Sequence, residues 1–318
     1  MNKKVVVLGG GNGLSTFLKG LKLFPVDITA IVSVCDDGSS TGVLRKEFNI
    51  PAVGDIRRVL VSLSETEPLI ENLLNYRFKT TSDLNGHTVG NILLTALTNI
   101  TGNLSDGIES LGKVLNLKGK VLPLTEDNVV LMGEMDDGNI VEGEHNITEY
   151  GRGIKRVFYK KKPIVNKEAV KAIKEADLII LSIGSMYTSI IPNLICDDII
   201  KTIDSSHAKI LNICNIMTQP GETDNFKASD HVHLLNNYLG ERKIDAVIVN
   251  NKAVSKKILR KYETLEQKDQ VEYDKSTLNK MGLKIIADDI ISIEDNLIRH
   301  DIDKLSLLIF TYIIKYCK

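Results

Sequence analysis

The chain has 318 residues, 43% hydrophobic and 25% charged, and its 40 lysines and arginines against 41 acidic residues leave a formal net charge of −1. Such a composition excludes disordered, collagen-like and coiled-coil chains. Near-neutrality, 5% aromatics and the absence of tryptophan exclude a global field or stacking platforms for nucleic acid.

The first short apolar run, Lys4–Leu8, is the kind of strand that a parallel sheet buries on both faces. It leads into Gly9-Gly10-Gly11-Asn12-Gly13-Leu14-Ser15 and an amphipathic helix over Ser15–Leu23. Glycines between a strand and a helix let backbone amides approach a phosphate, so Gly10, Gly11, Asn12 and Gly13 are candidate ligand contacts. The loop is not a P-loop, and Leu14 occupies the third position of a G-x-G-x-x-G fingerprint. The second strand, Ile28–Val34, runs into Cys35-Asp36-Asp37-Gly38-Ser39-Ser40-Thr41-Gly42-Val43-Leu44-Arg45. Carboxylates and hydroxyls at a strand's carboxyl end suit a sugar, a hydrated divalent metal, or both. Asp36, Asp37, Ser39, Ser40, Thr41 and Arg45 are candidates here, with Asp37 as a metal ligand and magnesium as the cation. Asp36 also stands where a ribose-binding acid of a dinucleotide enzyme would sit, which keeps a nicotinamide dehydrogenase open as a further alternative.

Residues 55–116 carry helical patterns, including Asp55–Leu63, Val89–Thr98 and Leu104–Leu115, with no convincing strand. In Gly54-Asp55-Ile56-Arg57-Arg58, Asp55 can cap the helix that it opens. Arg57 and Arg58 oppose the dipole of its first turn, a local inconsistency of the kind that marks sites. His87 and Asn91, in Gly86-His87-Thr88-Val89-Gly90-Asn91, could meet a phosphate or supply a proton. After a third strand at Lys120–Leu124, residues 128–160 hold short β-like pieces around Asp136-Asp137-Gly138-Asn139, a hairpin signal. The lysine-rich stretch from Lys155 to Lys174, with a helix at Lys167–Glu175, reads as a solvated rim.

Strand Leu178–Ser182 precedes Gly184-Ser185-Met186-Tyr187-Thr188-Ser189-Ile190-Ile191-Pro192-Asn193, which lacks the G-x-S-x-G of a nucleophile elbow and reads as a binding loop through Ser185, Tyr187, Thr188 and Asn193. Strand Lys209–Cys214 precedes Asn215-Ile216-Met217-Thr218-Gln219-Pro220-Gly221-Glu222-Thr223, with Asn215, Thr218 and Gln219 as candidates. His231 and His233 fall in a predicted helix, where i and i+2 do not share a face, so a zinc site is not expected. Strands at Ala246–Asn250 and Lys284–Ala287 and helices at Ser255–Glu266 and Asp303–Tyr316 complete the alternation. The pattern predicts an α/β fold with a doubly wound, mostly parallel sheet, a helical layer, and a small antiparallel β elaboration at about 128–160. One domain over 1–318 is expected, its polar loops forming a single elongated cleft. No apolar run approaches a membrane span, the first is too short for a signal peptide, and the four cysteines are scattered, so membrane insertion is not expected and a cytoplasmic location is.

Gly-Gly-Gly-Asn-Gly-Leu-Ser, Asp-Asp-Gly-Ser-Ser-Thr-Gly-Val-Leu-Arg, Gly-Asp-Ile-Arg-Arg, Gly-His-Thr-Val-Gly-Asn, Tyr-Thr-Ser-Ile-Ile-Pro-Asn-Leu and Met-Thr-Gln-Pro-Gly-Glu-Thr occur in this order along nearly the whole chain. The set resembles the YvcK, or gluconeogenesis factor, family of the CofD-like group. The resemblance implies a Rossmann-like core and a bacterial protein needed for cell shape and wall synthesis on gluconeogenic carbon sources. It also implies binding of UDP-sugars, UDP-N-acetylglucosamine above all, with Tyr262 and Arg299 at matching positions, and no established reaction. A homo-oligomer and an unidentified protein partner in cell-wall regulation are expected with it. The CofD relatives transfer a phospholactyl group with a divalent metal, which makes a metal-dependent phospholactyl or phosphoryl transferase the alternative.

Overall fold

A computed structural model describes residues 2–294 and 297–317. β1 (Lys3–Gly9), β2 (Val26–Val32) and β3 (Lys120–Pro123) begin the main sheet. An antiparallel trio follows: β4 (Leu131–Met135), β5 (Ile140–Glu142) and β6 (Ile154–Tyr159). The chain then returns to the main sheet with β7 (Leu178–Leu181), β8 (Lys209–Ile213), β9 (Ala246–Asn250) and β10 (Lys284–Asp288). A hairpin of β11 (Ile291–Glu294) and β12 (Leu297–His300) precedes the last helix, Ile302–Tyr316.

The main sheet has the order β10-β9-β8-β7-β1-β2-β3, with every pair of neighbours parallel. The expected seven strands are all present. Helices lie over both faces, so the central strands are apolar without alternation: Val5, Val6, Val7 and Leu8 are all buried. Connectivity reverses between β1 and β7. That is the topological switch point, where the carboxyl ends of an open α/β sheet leave a crevice.

The helical layer expected over 55–116 is formed by Gly54–Leu63, Pro68–Asn75, Val89–Thr101 and Leu104–Val114. The first helix spans Gly11–Leu21, starting four residues before the predicted Ser15. Its buried stripe of Leu14, Phe17, Leu18 and Leu21 follows the spacing of one helical face. The hairpin signal at 136–139 does join β4 to β5, with Gly138 at φ +84°. On the lysine-rich rim, Lys155 and Arg156 pair with Glu134, and Lys160 with Glu142. Among the described residues the four cysteines are buried and unpaired, and no helix is long and apolar enough to cross a membrane.

Candidate functional site

The loops leaving β1 and β7 meet face to face at the switch point. A Cβ on Gly13 would lie 2.5 Å from the Ile183 carbonyl oxygen, so only glycine allows this contact. Gly11, with φ +68°, turns the chain into its helix. The amide of Gly11 donates to Oδ2 of Asp55 at 2.6 Å, and Arg58 pairs with the other carboxylate oxygen. Asp55 therefore caps the first helix and not its own, a correction to the sequence expectation. The cause is tertiary: helix Gly54–Leu63 packs against helix Gly11–Leu21 and delivers a carboxylate to its positive end. The two arginines that oppose their own helix dipole include one, Arg58, that neutralises this carboxylate. Burial pushes the Asp55 carboxyl up, while Arg58 draws it back.

Beside the glycine loop lies the acidic segment. Both carboxylate oxygens of Asp37 accept backbone amides from Glu144 and His145, at 3.1 and 2.8 Å. The residue offered as a metal ligand thus anchors the β elaboration by holding the start of helix Glu144–Glu149. Arg45, expected at a ligand, is likewise spent inside the protein. Its guanidinium donates to the carbonyls of Cys35 and Asp36 at 3.0 Å, to Asn128, and to the Val129 carbonyl. Residues 128–149 fold back over the acidic loop and supply partners to both Asp37 and Arg45, while Arg45 also braces the carbonyls of its own loop.

That fold-back brings in a carboxylate that sequence reasoning missed. Glu144 sits among Asp36, Asp37 and Asp55, and burial followed by the Asp36 charge pushes it up to about 8. It is a carboxylic acid near neutral pH, able to donate a hydrogen bond or a proton. The only sequence signal was its place after the hairpin, more than a hundred residues from Asp37. Among the described residues no group of three or more side chains is arranged to hold a metal ion, and both carboxylate oxygens of Asp37 already accept backbone amides.

On the other side of the switch point a cavity of about 380 Å³ opens between the loops after β7 and β8. Ser185, Asn215, Thr218 and Gln219 line it together with Tyr262 and Arg299. The buried carboxylate of Glu222 orders both loops, accepting from Ser185 Oγ at 2.5 Å, the Tyr187 amide at 3.2 Å and the Gln219 amide group. Asn215 clamps the Gly184 peptide, accepting from its N–H at 3.3 Å and donating to its C=O at 2.8 Å. The Tyr262 hydroxyl accepts from the Ile298 amide at 2.7 Å, tying helix Lys256–Glu266 to β12, the strand that carries Arg299. Arg299 is exposed and makes no ion pair among the described residues. Burial pushes His300 down to about 4, so it is neutral and its Nε2 donates to the Cys214 carbonyl at 3.2 Å.

Other candidates are buried braces. Ser40, His87, Asn91 and Arg57 form one chain: Ser40 Oγ meets His87 Nδ1 at 3.0 Å and accepts from Asn91, whose Oδ1 accepts Arg57 Nε at 3.1 Å. Asn193 supports the glycine loop from below, donating to the carbonyls of Gly9 and Ser189. Thr188 donates to Ser185 Oγ at 2.8 Å, and Tyr187 and Thr41 are buried, whereas Ser39 is exposed at φ +42°. The single cleft expected from the sequence is thus divided. One cavity lies on the β7–β8 side, the acidic crevice lies beside the glycine loop, and Asn12, Arg57 and Arg58 line a separate cavity in the helical layer.

Comparison with known proteins agrees with this architecture. The family model for the 2-phospho-L-lactate transferase CofD matches residues 5–291. The gluconeogenesis factor of Bacillus subtilis is 48% identical over 307 residues, 96% of each chain. That of Halalkalibacterium halodurans is 46% identical, covering 96% of this chain and 94% of the other. A crystal structure of a Bacillus halodurans protein superposes with a TM-score of 0.94 at 45% identity, covering 98% of this chain and all of that one.

Proposed function

The chain belongs to the CofD family and, within it, to the gluconeogenesis factors, and from that premise we propose that it is a regulatory protein that binds a nucleotide sugar, UDP-N-acetylglucosamine. One observation carries the reading: the two positions that the sequence resemblance links to the UDP-sugar, Tyr262 and Arg299, line one cavity with the polar loops after β7 and β8. Its volume of about 380 Å³ lies within the usual range of small-molecule sites, roughly 300–1,000 Å³. The buried Tyr262 anchors the wall, and the exposed Arg299 beside it supplies a bidentate cation for a phosphate. Ser185, Asn215, Thr218 and Gln219 add hydroxyl and amide groups for sugar oxygens.

Calorimetric titration with UDP-N-acetylglucosamine tests the reading. Saturable binding is expected, weakened about tenfold or more by Arg299→Ala through loss of a charge-assisted contact, and likewise by Tyr262→Ala, which removes the anchor of the strand that carries Arg299. Absence of binding at millimolar ligand would refute it. In this proposal the ligand reports wall-precursor supply, and the protein, as a homo-oligomer, passes the signal to a cell-wall regulatory partner. Arg299→Ala should then fail to restore cell shape on gluconeogenic carbon to a bacterium lacking its own gluconeogenesis factor.

Group transfer is the second reading, favoured by the raised carboxyl of Glu144 beside Asp36 and Asp55 at the glycine loop. It requires nucleotide turnover that Glu144→Gln abolishes. Turnover surviving that change would remove Glu144 from the chemistry.

A further inference from the structure

The cavity in the helical layer, about 370 Å³, lies between helices Gly11–Leu21, Gly54–Leu63 and Pro68–Asn75 and shares no lining residue with that of Tyr262 and Arg299. Lys19, Arg57, Arg58 and Arg77 line it against one carboxylate, Glu71, which is already paired with Lys19 at 2.5 Å. Arg58 is paired outside the cavity, with Asp55.

Arg57 is the informative member. It is only 5% exposed, yet its partners are neutral amides: Nε donates to Asn91 at 3.1 Å and Nη1 to Asn75. No carboxylate pairs with it and Nη2 has no hydrogen bond among the described residues. Burial, with Arg58 and Arg77 nearby, pushes it down to about 10, which leaves it charged at neutral pH. The backbone makes room for this side chain, since a Cβ on Gly90 would lie 2.6 Å from Arg57 Cδ. A buried guanidinium without an anion is costly to keep. Arg77, which lines the same cavity and has no carboxylate partner among the described residues, raises that cost, unless an anion enters from outside.

We propose that this cavity is a second ligand site, one that takes a small phosphate-bearing anion. Arg57 and Arg77 would hold the phosphoryl oxygens, Lys19 would add charge at the mouth, and Asn12, Ser15, Thr16 and Thr88 would offer neutral donors. Arg57, which its place in the first turn of its helix marked as a site residue, thus serves a ligand other than the nucleotide sugar. The site stands independently of the nucleotide-sugar reading.

Calorimetric titration of the full chain with inorganic phosphate and pyrophosphate at low ionic strength is the test. The variants are Arg77→Ala and Lys19→Ala, both at exposed positions that should leave the fold intact, with Arg299→Ala as the contrasting arm. Saturable, salt-sensitive binding is expected. Arg77→Ala should weaken it about tenfold, the double variant further, and Arg299→Ala not at all. Failure of both anions to bind at millimolar concentration overturns the proposal. So does binding that Arg299→Ala removes and Arg77→Ala leaves intact, because the probe would then sit in the other cavity. UDP-N-acetylglucosamine affinity should be unchanged in Arg77→Ala, so failure of the nucleotide-sugar reading is seen separately.

Discussion

Replacing Glu144 with glutamine should stabilise the protein, and by an amount that grows with pH. The side chain sits beside Asp36, Asp55 and Asp37, and burial and those charges hold its carboxyl near 8, from an ordinary value of 4.5. Its folded pKa lies above its unfolded one, so the native state binds more protons between pH 4.5 and 8. The stability contributed by the neutral form is therefore complete below 4.5 and is lost as pH rises through 8. At about 1.36 kcal/mol per unit the full shift would amount to about 5 kcal/mol, an upper bound. Partial exposure to water and salt reduces this to about 1–2 kcal/mol. Glutamine keeps the neutral shape and has no charge to accommodate. The variant should match the parent near pH 4.5 and exceed it by about 1–2 kcal/mol at pH 8. Urea unfolding midpoints at constant ionic strength across that range provide the measurement. A difference that stays flat or shrinks as pH rises would refute the placement of Glu144 among the three aspartates.

Gly13→Ala should cost about 1–3 kcal/mol by overpacking, because the new methyl meets a backbone carbonyl that cannot rotate away; a lowered melting temperature checks it. Asp37→Ala strips the acceptors from the Glu144 and His145 amides and should cost about 1–2 kcal/mol, as for loss of a helix cap. Limited proteolysis should then cut within residues 128–160, which a residue serving only a ligand would not cause. Arg45→Ala leaves the carbonyls of Cys35, Asp36 and Val129 without their donor and should cost about 3 kcal/mol or more. A neutral result by thermal unfolding would return Arg45 to the list of ligand contacts.

The sheet was legible because burial on both faces is written locally. Runs such as Val5–Leu8 and Leu178–Leu181 need no knowledge of their neighbours to be read as central strands. The helical layer, the hairpin at 136–139 and the loops at strand ends follow from the same local rules of periodicity and turn chemistry. The small hairpin of β11 and β12, which carries Arg299, was not foreseen; its strands are four residues each and only half-buried.

The polar residues mark the limit. Twenty-three glycines and a set of carboxylates, hydroxyls and arginines singled out the loops at the carboxyl ends of the strands. What each one touches was settled by segments far away in the chain. Asp37 is consumed by amides 107 and 108 residues on, Arg45 by Asn128, Asp55 by the glycine loop and Arg58. Glu144 gains its raised carboxyl only because the β elaboration folds back over three aspartates. Hydrophobic periodicity is a property of neighbours in sequence, so composition and pattern determined the layers of this protein. Hydrogen bonds and charge pairs are properties of neighbours in space, so only the tertiary structure decided which polar groups remain free to meet a ligand.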